Sequence, residues 1–176
     1  MGNLEVEELA RLLRKDHIPF MFDAVRDRIT RMLEHYQQLP ESERGPLRAQ
    51  FGPNQASKLS YYAGKMAEDG VRKNSIQSIK LGLLAAAMDG GQYDYRNTVT
   101  NLCMLYHSAK KLGFDPTPLF TDAAGYGDER ARDLILQYLA QGNKDIRAFG
   151  LEEDYGHEAF LPDDPEGFRY ASTGLR

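Results

Sequence analysis

The chain of 176 residues lacks tryptophan and has a single cysteine, Cys103. One cysteine excludes an intrachain disulfide and any zinc site built from several cysteines, which agrees with a reducing compartment. No stretch approaches the roughly 20 consecutive apolar residues that a membrane-spanning helix needs. The acidic N-terminus also lacks the apolar segment of a secretory signal. We therefore expect a cytoplasmic protein that does not enter a membrane.

Sequence patterns for metal or nucleotide binding are also missing. The four histidines are scattered, and no two of them have the spacing of zinc ligands. The glycine-dense sites, Gly90-Gly91 and Gly125-Tyr126-Gly127, follow no predicted strand and carry no lysine of a phosphate-binding loop. We interpret these glycines as helix ends and expect no metal and no cofactor.

The charge of the chain is concentrated at its C-terminal end. Residues 150–176 contain seven acids and two arginines, a net charge of −5, so the chain's total of −4 leaves about +1 for residues 1–149. A nearly neutral body and an acidic end disfavour nucleic-acid binding. Residues 151–176 also contain two prolines and four aromatic residues without helical periodicity. They predict an extended acidic arm that docks on its own body or on another chain, which would allow self-association.

The remainder, residues 1–150, is predicted to be one all-α domain of about seven helices, arranged as a bundle or as stacked hairpins. Apolar residues recur at steps of three and four along residues 74–89 and 94–112, which predicts two antiparallel helices joined by Asp89-Gly90-Gly91. Asn74 and Asp94 are the predicted N-caps of these two helices. No two-residue alternation persists long enough to predict a strand, and too few residues match between helix pairs to establish an internal repeat.

Residues flanking this hairpin predict the other helices. Gly113 should end the second central helix, and Thr117 followed by proline should begin the next one. Asp128 is the predicted cap of a last helix that ends near Gly142. Upstream, two amphipathic helices precede a connector over residues 40–53 with only a short helical piece, and a further helix should end at Asp69-Gly70.

A row of polar residues follows one face of the second central helix at intervals of four, three, four and three. The row consists of Arg96, Thr100, Cys103, His107 and Lys110. Two carboxylates, Asp89 and Asp94, precede it at the turn. These seven residues are the candidate surface for binding a partner. The same pattern favours a structural role for most of them: Asp94 as a cap, Cys103 as a small buried residue and His107 at the edge of the core.

A resemblance supports the fold prediction. The runs Tyr95-Arg96-Asn97, Leu105-Tyr106-His107-Ser108-Ala109 and Leu112-Gly113-Phe114-Asp115-Pro116, followed by Leu119-Phe120, resemble a group of uncharacterised all-helical bacterial proteins. The resemblance covers about residues 81–140 and implies a helical fold without an assigned activity. Asn97 stands where that group has an acid, so a charge-dependent role at this position does not carry over.

The leading functional hypothesis is therefore a protein-interaction module, with toxin neutralisation, as by an immunity protein, as one concrete form. Ten tyrosines in a chain without tryptophan agree with it, because tyrosine is common at protein interfaces. The competing hypothesis is a small hydrolase or transferase that uses Cys103, His107 and Arg96, and it requires an accessible Cys103 with a lowered pKa.

Overall fold

A computed structural model describes residues 2–14 and 18–142, without the side chains of residues 18–21 and 142. These residues form eight α-helices, a closing π-helical turn and no strand, which confirms the all-α prediction. In chain order the elements are α1 (Asn3–Leu12), α2 (Ile18–Gln38), α3 (Glu41–Arg48), α4 (Pro53–Arg72), α5 (Ile76–Asp89), α6 (Tyr95–Lys111), α7 (Pro116–Ala124), α8 (Glu129–Gln137) and the π turn (Tyr138–Gly142). The predicted arm, residues 151–176, and the predicted boundary at residue 150 lie outside the described residues.

Helices α4, α5 and α6 form the centre of the molecule, and close contact between them depends on Gly82. A Cβ atom at Gly82 of α5 would lie 2.7 Å from Leu105 Cδ2 of α6 and 3.1 Å from Met66 Cβ of α4. Polar contacts fix the same arrangement, since Asn101 Nδ2 of α6 donates to both Ser60 O and Ser60 Oγ of α4 at 2.8 Å. The predicted central hairpin is therefore one side of a three-helix unit.

Two apolar clusters pack on either side of this unit. One joins α4, α5 and α6 to α7, α8 and the π turn, with Phe120 and Tyr138 stacked at its centre. The other joins α4 and α5 to α1, α2 and α3 through buried rings such as Tyr36 and Tyr62. Helices α4 and α5 contribute side chains to both clusters, so they lie between the two halves of the described core. No helix in these described ranges combines the length and apolar content needed to cross a bilayer.

Several predicted helix ends are confirmed. Asp94 caps α6 by accepting a hydrogen bond from the backbone N of Arg96 at 2.9 Å, and Asp128 caps α8 through the backbone N of Ala131 at 2.8 Å. Gly113 ends α6 with φ +87°, a left-handed conformation that favours glycine. Short-range signals therefore identify both ends of α6 and the start of α8.

Two predicted caps are wrong by one or two residues. Ser75, not Asn74, caps α5, because its hydroxyl accepts from the backbone N of Ser78 at 3.3 Å while Asn74 takes φ +52° in the preceding turn. Asp115, not Thr117, caps α7, because Asp115 Oδ1 accepts from the backbone N of Thr117 at 3.0 Å. In both cases a neighbouring side chain with cap chemistry reaches the free amides first.

The predicted connector and the predicted end of α4 are also corrected. The segment expected to be mostly irregular contains α3, which includes Pro46, because burial of Leu47 and Phe51 outweighs the breaker signal. Helix α4 continues past Asp69 to Arg72, since Asp69 is buried and forms ion pairs with three cations. Those partners are Arg26, Arg72 and Lys73.

Candidate functional site

An open cleft of about 630 Å³ lies between the α5–α6 turn and helix α8. Residues from both elements line it: Gly90, Tyr95, Asp128, Glu129, Arg130, Asp133, Leu134 and Gln137. Helices α6 and α8 both begin at this cleft with an aspartate N-cap. The cleft is therefore formed by helix starts whose positions are fixed by local hydrogen bonds.

The turn allows α8 to approach closely because it contains two glycines in left-handed conformations. Gly90 has φ +57° and Gly91 has φ +78°, values that side chains with a Cβ rarely adopt. A Cβ atom at Gly90 would lie 3.1 Å from Ala131 Cβ. Arg130 Nη2 donates to the Gly91 carbonyl at 3.3 Å. Backbone conformation, a small residue and one long side chain together hold α8 against the turn.

Helix α8 contributes one regular face to the cleft. Glu129, Asp133 and Gln137 follow each other at steps of four, so they project from the same side. All three are exposed, whereas Leu134 beside them is buried and contributes to the core. This face therefore presents polar groups above an apolar base.

Tyr95 is the aromatic residue of the cleft. It is the first residue of α6, its side chain is 38% exposed, and its partial burial raises the pKa of the phenol. Tyr93, two residues earlier, is 59% exposed but does not line the cleft. An aromatic ring that is half in solvent at the start of a capped helix is a rigid contact group.

Asp89 precedes Gly90 of the cleft as the last residue of α5, and 1% of its surface is exposed. Burial raises the pKa of this carboxyl to about 7 because the charged form loses its hydration. The Thr98 hydroxyl, which donates to Asp89 Oδ2 at 2.5 Å, and the Gly91 amide lower the pKa and only partly offset the effect of burial. Asp89 is thus a structural link between α5 and α6 whose charge changes near neutral pH.

The structure does not place the seven predicted surface residues on one accessible face. Asp89, Thr100 and Cys103 are buried, with 1%, 5% and 2% exposure. Asp94 is half-buried as a cap, and His107 is half-buried beside the ring of Tyr106. Arg96 and Lys110 are exposed, but they lie at opposite ends of α6. The middle of this helix face is buried, with Cys103 hydrogen-bonded to Tyr138 of the π turn.

The environment of Cys103 is the opposite of what the enzyme hypothesis requires. Burial raises the pKa of its thiol to about 12, although a hydrogen bond with Tyr138 lowers it slightly. A nucleophilic cysteine needs an accessible sulfur and a lowered pKa. Arg96 is seven residues earlier on α6, about 10 Å along the helix axis. The geometry therefore gives no support to a hydrolase or transferase site at Cys103, His107 and Arg96.

Metal chemistry also lacks a site in the part of the chain that the structure describes. No group of three or more histidine, cysteine, aspartate and glutamate side chains there could hold a metal ion.

None of the seven residues predicted as an interaction surface lines the cleft. Asp89, Asp94 and Arg96 are only sequence neighbours of Gly90 and Tyr95, and the α8 side of the cleft was not predicted. A signal was present, because acidic and amide side chains at steps of four after the Asp128 cap indicate one polar helix face. What the sequence did not indicate is that this face lies opposite Tyr95, since that depends on how α8 packs.

Comparison with protein-family models, with curated proteins and with solved structures gives no match to the chain. The resemblance of residues 81–140 to uncharacterised bacterial proteins therefore stays a prediction.

Proposed function

We propose that the chain is a protein-interaction module that binds a partner protein through the cleft between the α5–α6 turn and α8. The observation that supports this proposal is Tyr95, an exposed aromatic ring fixed at a capped helix start beside a cleft of about 630 Å³. Tyrosine is enriched at the energetic centres of interfaces, where its ring packs and its hydroxyl remains hydrogen-bonded. Toxin neutralisation remains one concrete form of this proposal.

The residue types in the cleft favour binding over catalysis. Its lining contains carboxylates, one arginine, one amide and one phenol, but no serine, cysteine, histidine or lysine. The lining therefore does not contain a serine or cysteine nucleophile paired with a histidine or lysine base. Surface complementarity is the property that this set of side chains can provide.

A second depression, of about 550 Å³, lies between α1, the end of α2 and α3. It contains His35 and Glu43 but no tyrosine or phenylalanine. Because large aromatic side chains contribute most to interface energies, the cleft at α8 is the stronger candidate.

The proposal is tested by affinity capture from native lysate with the full chain as bait, followed by mass spectrometry. Wild type is compared with Tyr95→Ala and with the matched control Phe114→Ala. Phe114 is also an exposed aromatic residue, with 46% exposure, but it follows the opposite end of α6.

We expect a partner that wild type and Phe114→Ala retain and that Tyr95→Ala loses. The loss should correspond to a weakening of more than about 1 kcal/mol in binding free energy, measured afterwards with the purified partner. A partner held equally by all three proteins would contradict the cleft as the binding site. A chain ending at Gly150 then shows whether the arm, residues 151–176, carries the binding.

A further inference from the structure

The lining of the cleft is predominantly acidic. Asp128, Glu129 and Asp133 contribute three carboxylates and Arg130 one guanidinium, a formal charge of −2. Arg130 also donates to the Gly91 carbonyl at 3.3 Å, so its charge is held at the turn. The nearby cations Arg96 and Arg132 do not line the cleft. A ligand in this cleft is therefore surrounded mainly by negative charge.

The three carboxylates differ in how strongly other groups of the protein stabilise their negative charge. Asp128 accepts the capping hydrogen bond from Ala131, and Glu129 lies in the first turn of α8, where the helix dipole stabilises negative charge. Asp133 lies beyond that turn. In the described part of the chain, none of the three forms an ion pair. By contrast, the buried Asp69 is paired with cations.

The apolar component of the cleft lies next to these charges. Tyr95 exposes part of its ring, and the cleft side of α8 rests on Leu134. An aromatic ring beside carboxylates suits a lysine or arginine side chain, because the cation contacts the ring while its stem packs on apolar surface. The molecule already uses this geometry elsewhere, with the Arg44 guanidinium 4.2 Å from the Tyr126 ring centroid.

Charge also disfavours the other occupants of the cleft. The chain's own residues 150–176 carry −5 and would be repelled by the acidic lining. A second copy bound through the same cleft by two-fold symmetry would place acidic lining against acidic lining. Nucleic acids and anionic lipids are repelled for the same reason.

We infer that the partner presents a basic segment to this cleft, in which lysine or arginine residues lie beside an aromatic or aliphatic residue. This inference rests on the proposed interaction function and adds the chemistry of the partner. Acidic side chains attract the segment and set its orientation, and contact with Tyr95 and Leu134 supplies the apolar part of the binding free energy.

The test is selection of random twelve-residue peptides, displayed on phage, against the full-length chain. The affinities of selected peptides are then measured by fluorescence anisotropy for wild type, Asp133→Lys and Glu8→Lys. Each substitution changes the net charge by +2, but Glu8 is an exposed residue of α1 that does not line this cleft. The pair therefore separates a local effect at the cleft from a general effect of total charge.

We expect the selected peptides to be basic, to contain an aromatic or aliphatic residue, and to lose affinity on addition of NaCl. Asp133→Lys should weaken their binding by roughly tenfold, and Glu8→Lys by less than about twofold. Neutral or acidic peptides, failure to select any peptide, or equal weakening by both variants would overturn the inference.

The two proposals fail in different ways. A captured partner that Tyr95→Ala loses, but that Asp133→Lys retains at full affinity, would keep the interaction function and overturn the basic partner. A basic peptide that binds wild type and Tyr95→Ala with equal affinity, but does not bind Asp133→Lys, would show that charge alone accounts for recognition. That result would contradict the proposed role of Tyr95.

Discussion

Replacing Asp89 by asparagine should remove a pH dependence of stability that this one buried carboxyl produces. Asp89 is 1% exposed, and its pKa is raised from 3.8 to about 7 by burial. Asparagine has nearly the same shape, and its carbonyl can still accept the hydrogen bond from the Thr98 hydroxyl. Since the amide does not ionise, the variant isolates the effect of charge at this position.

The sign and size of the effect follow from proton linkage. Because the folded protein holds the proton more tightly than the unfolded chain does, the stabilisation is fully present below pH 3.8 and is lost as pH rises through about 7. At 1.36 kcal/mol per pKa unit, the whole effect is about 4 kcal/mol. From pH 5 to pH 8, the free energy of unfolding of wild type should fall by about 2–3 kcal/mol more than that of the variant.

The measurement is urea denaturation of both proteins from pH 5 to pH 9, followed by circular dichroism because the chain has no tryptophan. Asp89 Oδ1 has no hydrogen-bond partner among the described residues, so the new amide should cost about 1–3 kcal/mol at every pH. The informative result is therefore how the difference in free energy of unfolding between the two proteins changes with pH, because the cost of the amide is the same at every pH.

A second variant tests the cause of the raised pKa. Thr98→Val keeps the volume of the side chain but removes the hydroxyl that lowers the pKa of Asp89, so the loss of stability should extend to higher pH than in wild type. Parallel curves for wild type and Asp89→Asn would refute the reasoning, because they would mean that Asp89 titrates alike in the folded and unfolded states.

Three further predictions concern packing and accessibility. Gly82→Ala should destabilise the fold by about 1–3 kcal/mol because its Cβ would lie 2.7 Å from Leu105. The better helix propensity of alanine, worth about 1 kcal/mol, does not compensate, and urea denaturation measures the result. Asn101→Ala should cost about 1–3 kcal/mol in the same assay, because it removes both hydrogen bonds to Ser60. Iodoacetamide near pH 7 should label Cys103 slowly in the native protein and rapidly after denaturation, since the thiol is buried and its pKa is about 12. Rapid native labelling would contradict its burial.

The sequence predicted most reliably the features that depend on neighbouring residues. The α5–α6 hairpin follows from apolar periodicity, and the Asp94 cap and the Gly113 stop follow from local hydrogen-bond and backbone requirements. Where two adjacent residues offered cap chemistry, the prediction failed by one or two positions, as at Asn74 and Ser75. Sequence spacing alone does not decide which of two candidates reaches the free amides.

Features that depend on tertiary packing were predicted poorly. Pro46 indicated a connector, but burial of Leu47 and Phe51 favours a helix there, which is a case of tertiary contact overriding propensity. Thr100 and Cys103 of α6 were candidate surface residues because they belong to a polar row, yet both are buried, as the structural interpretation of Cys103 predicted. Small polar residues such as threonine and cysteine are compatible with either environment, so periodicity could not distinguish them.

The cleft illustrates why a local interpretation can be correct and still incomplete. Gly90 was predicted to end a helix, and it does, with φ +57° at the C-terminus of α5. The absence of a Cβ at the same residue lets Ala131 approach, and that approach brings the acidic face of α8 opposite Tyr95. A substitution such as Gly90→Ala should therefore weaken both the helix end and the cleft. The residue that stops the helix also sets the geometry of the proposed binding site.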